Sequence, residues 1–260
     1  MIPLKIAIPR KIDIISRIIF YFALGIFIAA SVQKNLLPPK EQVVSQLYQE
    51  PHQKNTVAAP FLVTVEGADY RVRPEYNYEL YGLVVSQHDT SSWWDYYHKE
   101  WGDVLNLKDV CVIWGDNLKD ETYRRMRFRN GSWTCYISVN AATAERDWSR
   151  FNMNALSNNH LLSTKPEINS LLRGLGVGDQ IYFKGYLASY NNLENNIIRG
   201  TSISRTDEGN GACETVYLTE FKVLKKANVI WRFLHGFSKF LIFLSLAFLI
   251  FIRLWLPLGG

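Results

Sequence analysis

Apolar positions follow two regimes along the chain: continuous runs at both ends, and short alternating stretches between residues 61 and 226. Near the start, 18–32 reads IIFYFALGIFIAASV without a charge, and Ile12, Ile14 and Ile15 carry the run back past Arg17. A spanning helix takes about 20 mostly apolar residues, and basic side chains near its ends can reach the headgroups. The pattern therefore predicts a transmembrane helix over 12–32, within an anchor of residues 1–34. A signal peptide cut near Ala29 and Ser31 is the alternative. At the other end, 240–258 reads FLIFLSLAFLIFIRLWLPL, with Arg253 as its one charge and Trp255 as an interfacial aromatic. Ahead of it, Arg232, His235 and Lys239 share one helical face, opposite Ile230, Phe233, Leu234 and Phe237. That predicts an amphipathic approach within 227–258 that leads into the second spanning helix.

Residues 35–60 hold Pro38, Pro39, Pro51 and Pro60 and read as a linker with a short helix carrying Val43, Val44, Leu47 and Tyr48. From 61 to 226 the pattern predicts a β-rich domain, with strands at 61–65, 70–73, 78–86, 110–114, 123–129, 133–139, 181–189, 197–204 and 216–223. Asn130-Gly131 joins two of them as a type I′ hairpin. Ser163, Thr164, Pro166 and Glu167 open a helix over 165–173, which Gly174 and Gly176 end. A further helix is expected at 142–151, and 94–105 stays open between helix and loop.

Two strands, a long hairpin, a helix and then more strands resemble an OB-like barrel, in which a helix lies between the third and fourth strands. The phrase GVGDQIYFKGYLASY resembles the opening of a late strand in such domains. The fold class is mainly β with short helices, flanked by two transmembrane helices; a β-sandwich is the alternative to the barrel. The whole chain resembles uncharacterised bacterial membrane-anchored proteins, a resemblance that implies no activity.

Charge refines the picture. The pI of about 9.0 comes from the apolar ends, which carry +7, whereas 35–228 carries −2. Single-strand binding by an OB-like fold needs a basic groove, so no nucleic-acid partner is expected. Lys5, Arg10, Lys11 and Arg17 place the first tail in the cytoplasm. Lys222, Lys225, Lys226, Arg232 and Lys239 ahead of the second helix favour the reverse orientation. Following the first helix gives a two-pass protein of the cell inner (plasma) membrane with an exported domain and the bilayer as a partner. Of three cysteines, Cys111 and Cys135 fall in predicted strands where export permits a bridge; three buried thiols fit equally.

Candidate chemistry is sparse. Arg125, Arg127 and Arg129 at period two, opposite Ser132, Thr134 and Tyr136, suggest an anion-binding face, or an ordinary solvated one balanced by Asp116, Asp120 and Glu121. Trp93 and Trp94 suggest an aromatic loop that binds a flat ligand or a protein, or packs over the domain. Asn158, Asn159 and His160 read as a polar loop before the capped helix. Cys213 is the thiol that His160 would serve as base. His88, His98 and His160 match no metal spacing, so neither metal nor cofactor is expected. These readings predict a non-enzymatic binding or assembly module contacting an envelope protein or an anionic ligand. The alternative is a membrane-anchored hydrolase or thiol enzyme using His160 and Cys213.

Overall fold

A computed structural model describes residues 10–92, 95–131, 133–195, 197–207 and 212–255. The chain divides into a unit of residues 37–227 and a unit formed by the two terminal segments.

In chain order the elements are α1 (Arg10–Gln33), β1 (His52–Asn55), β2 (Phe61–Val65), β3 (Ala68–Asp89), α2 (Tyr97–Glu100), β4 (Asn106–Ile113), α3 (Thr122–Arg125) and β5 (Arg127–Asn130). They continue with β6 (Cys135–Ser138), α4 (Ala144–Arg150), β7 (Leu156–Leu162), α5 (Pro166–Arg173), β8 (Gln180–Asn192), β9 (Ile198–Arg199), β10 (Glu214–Lys225) and α6 (Val229–Trp255).

The central unit is mainly sheet with short helices. Its spine is β3, which the sequence reads as two strands and which runs unbroken for 22 residues. Pro74 lacks the N–H of a regular ladder and sits at a register shift against β8, so it bends the strand rather than ending it. One edge of β3 pairs with β8; the other serves β2, β1 and β4 in turn. From β4 the pairing passes antiparallel to β7, parallel to β10 and antiparallel to β8, which lies against β3. Leu80, Val84, Val112, Leu161, Phe183 and Val216 fill the core between these strands, and α5 lays Ile168 and Leu172 against it.

The stretch 35–60 is no free linker. Residues 37–60 belong to the central unit, Leu47 is fully buried in its core, and β1 pairs with β3. Two short 3-10 turns, Lys40–Gln42 and Ser45–Tyr48, stand where a short helix is expected, and Tyr123 donates its hydroxyl hydrogen bond to the Pro38 carbonyl. Cys111 and Cys135 form a disulfide, with Cα atoms 6.0 Å apart.

In the terminal unit α1 and α6 pack antiparallel. The amide of Asn228 donates to the carbonyls of Lys34 and Leu36, tying the end of one helix to the start of the other. Their contact faces repeat every seventh residue: Ser16, Ala23 and Ala30 on α1, Ser238, Ser245 and Ile252 on α6, all buried. Small residues let helix backbones approach closely. The outer faces expose Ile15, Ile18, Phe22, Phe240, Phe243 and Leu254. Lys11–Gln33 and Val229–Leu254 are long and apolar enough to cross a membrane. The amphipathic approach is not a separate segment, because α6 runs continuously from Val229 and its early basic residues pack on α1: His235 stacks on Phe27, and Lys239 lies over the same ring.

Candidate active site

β4, β7 and β10 lie side by side, and their registers align one polar row across the sheet. Asp109 faces His160, and His160 faces Thr215. Cys213 stands just ahead of β10, beside Asn158, and lines the cavity that His160 also lines. His160 shares its Nδ1 proton with Asp109 Oδ1 at 2.5 Å, and Cys213 lies on the wall of the same cavity as the imidazole. Asn158 donates an amide hydrogen to Cys213 Sγ at 3.5 Å, and Sγ donates to the Trp133 carbonyl at 3.4 Å.

Trp133 lies over this row, 6.0 Å from the His160 ring. Its ring stacks on Trp101 at 5.0 Å and on His98 at 4.1 Å. The Arg199 guanidinium, delivered by β9, covers the ring at 3.6 Å and places Nη2 3.3 Å from His160 Nε2. A cation over an indole face is held by the ring quadrupole. Arg199 Nη1 is buried without a hydrogen-bond partner, with Asp103 at 3.9 Å. A cavity of about 590 Å³ opens here, lined by Trp101, Trp133, His160, Arg199 and Cys213. A second, of about 570 Å³, reaches Cys213 beside Asn158, Arg205 and Glu214.

Burial alone would discharge His160, but the Asp109 charge, the hydrogen bond Asp109 accepts from the ring and the nearby Cys213 outweigh it and raise its pKa to about 9. The same contacts, with the Asn106 amide, hold the buried Asp109 below its ordinary value although desolvation pushes it up. An imidazolium oriented by a carboxylate and turned toward a thiol is the arrangement that activates a sulfur nucleophile.

Asn158, Asn159 and His160 are not in a loop. They lie buried in the middle of β7, where Asn158 bonds Asn130, Cys213 and the Trp133 carbonyl and the Asn159 amide nitrogen bonds Ser157 and the Val110 carbonyl, while Asn159 Oδ1 is buried without a partner. Polar letters signal a loop only where no buried network receives them.

The arginine face also changes. β5 and β6 pair Arg129 with Tyr136 and Phe128 with Ile137, and Gly131 donates to the Thr134 carbonyl, so a longer loop replaces the two-residue type I′ turn. Neither Asn130 nor Gly131 takes a positive φ. Arg127 and Arg129 still share an exposed face, with Arg129 over the Tyr136 ring. Arg125 leaves it: it lies in α3 and binds Asp147 at 3.0 Å and Thr122. Trp93, Trp94 and Ser132 fall outside the described residues.

Sequence reasoning missed Asp109, Arg199, Trp101 and Trp133. Asp109 leaves a signal, being an acid inside the apolar stretch LKDVCVIW; Arg199 leaves none. No family model, curated protein or solved structure matches the chain.

Proposed function

We propose that this chain is a membrane-anchored thiol enzyme of the acyl-transfer class. The carrying observation is the hydrogen-bonded pair His160 and Asp109 with the Cys213 thiol on the wall of the same cavity. In this reading the Cys213 proton passes to His160 Nε2, the resulting thiolate attacks an acyl carbonyl, the imidazolium gives that proton to the leaving group as its bond to the acyl carbon breaks, and Asp109 fixes the imidazole's tautomer and balances its charge. Arg199 opposes the negative charge that develops on the carbonyl oxygen. Water then releases the acyl group from sulfur.

Cys213 is the one free cysteine, so the test is direct. The full chain in detergent is treated with iodoacetamide and, separately, with an activated ester such as p-nitrophenyl acetate. Cys213 is expected to alkylate faster than a model thiol and to give a burst of p-nitrophenol, both lost in His160→Ala and slowed in Asp109→Asn. Alkylation at the same rate in His160→Ala, with no burst, ends the enzyme reading.

A binding or assembly module for an envelope protein or anionic ligand is the second reading. Trp101, Trp133 and Arg199 favour it, because two stacked indoles and a guanidinium hold a flat or anionic group without chemistry. The barrel reading of the central unit is OB-like, supported by the pairing order β3, β4, β7, β10, β8 with α5 between β7 and β8. The proposed location is the inner membrane with the central unit exported. The Cys111–Cys135 bridge supports an oxidising compartment, and the basic first tail supports a cytoplasmic start. Fusions after residue 225 check this: alkaline phosphatase should be active and GFP dark, and the opposite pair of results reverses the topology.

A further inference from the structure

We infer that His88, Asp95 and His98 form a binding site for a divalent transition-metal ion, with zinc as the reference ion. The three come from the end of β3, the following loop and α2, and their ligand atoms all lie within 4.8 Å of one another. Asp95 Oδ2 already meets both rings, His88 Nε2 at 2.5 Å and His98 Nδ1 at 2.8 Å. Its other oxygen accepts the His98 backbone N–H at 2.9 Å, which fixes the carboxylate's orientation. Two imidazoles and one carboxylate are the donor set that zinc and its first-row neighbours prefer, and three protein ligands leave a position open for water or substrate.

The surroundings suit such an ion. Asp95 and His98 are 2% and 3% exposed, so a metal here is shielded from bulk water. His98 is wedged on Trp133, which limits its ring motion. Bonds of about 2.0–2.1 Å draw the two rings together around the ion, a change within reach of side-chain torsions.

One neighbour must respond. A metal on His98 Nδ1 leaves the ring proton on Nε2, where the Asn106 amide now stands at 3.0 Å. Asn106 Oδ1 is buried without a partner, and turning the amide over presents that oxygen to the ring proton. Asn106 also donates to Asp109 at 2.9 Å, so occupancy of the metal site would reach the carboxylate that orients His160.

None of its ligands belongs to the thiol site, and its test does not need activity. The full chain, purified in detergent and stripped with a chelator, is incubated with Zn²⁺, desalted and assayed for metal by mass spectrometry. A single equivalent is expected in the wild type, in Cys213→Ser and in His160→Ala, and background in His88→Gln and Asp95→Asn. Co²⁺ should give visible d–d bands without a sulfur charge-transfer band. His98→Gln can perturb folding through Trp133, so His88→Gln, compared with wild type by circular dichroism and by its melting shift with Zn²⁺, is the deciding variant. Retention of no metal by the wild type, or equal retention by His88→Gln, overturns the site.

Discussion

His160 and Glu214 both keep a proton longer in the folded chain than they would in the open, for opposite reasons. His160 has a folded pKa of about 9 because Asp109 and Cys213 hold the cation against desolvation. Glu214 is raised from 4.5 to about 7 because burial outweighs the attraction of Arg205. A raised folded pKa gives stability that is complete below the unfolded value and lost as pH climbs through the folded one. Urea midpoints of the wild type should therefore fall between about pH 4.5 and 7 through Glu214, and again between about pH 6.5 and 9 through His160. Glu214→Gln should flatten the first interval and Asp109→Asn the second. A second interval as steep in Asp109→Asn as in the wild type would remove Asp109 as the cause. The residue types of this site were legible in the sequence, but their meeting was not. His160 and Cys213 come together only because β7 and β10 pair in parallel, with α5, β8 and β9 between them in the chain, and no local pattern encodes such a pairing.

Among the elements, β8 carries the sharpest constraint. A Cβ on Gly185 would stand 2.1 Å from the Tyr217 carbonyl oxygen, where β8 and β10 press together beside the register shift at Leu218 and Glu220. Backbone cannot yield as a flexible side chain can, so Gly185→Ala should cost at least the ~1–3 kcal/mol of an overpacked core, read as a lower urea midpoint at unchanged slope. A midpoint matching the wild type would mean that the strands separate freely there. α5 offers a contrast, since Leu172→Ala empties core space behind a short helix and should cost about 2–5 kcal/mol. Most strands and α5 were legible from alternation, turn residues and the proline at the helix start. The β5–β6 register was not, because Asn130 spends its side chain on Ser86 and Asn158 instead of entering the turn, so the loop closes later, at Gly131 and Thr134. β7 was misread because Asn158, the Asn159 amide nitrogen and His160 find partners inside the sheet, where polar composition mimics a loop.

For the molecule as a whole, the Cys111–Cys135 bridge closes a loop with a sequence separation of 24, which should stabilise the central unit by about 3 kcal/mol. A Cys111→Ser/Cys135→Ser double variant should melt lower in oxidising buffer and match the reduced wild type; equal melting of all three would show that the bridge adds nothing. The two long apolar helices were legible from the runs at each end, but their union in one unit was not. The seven-residue repeat that joins α1 to α6 was hidden, because serine and alanine in an apolar run look like filler until a partner helix is set against them. That pairing sets a schedule for biosynthesis. α1 leaves the ribosome roughly 200 residues before its partner is complete, a delay of about 10–40 s at ordinary translation rates. In the proposed topology α1 waits that long alone in lipid, so its polar groups need company within its own helix. They have it: Arg17 reaches back to Asp13, Ser16 to the Ile12 carbonyl and Ser31 to that of Phe27, while Ser245 on α6 turns to Leu241. α1 thus carries partners for these polar groups before α6 exists, whereas His235 and Lys239 of α6 find Phe27 only once the two helices meet.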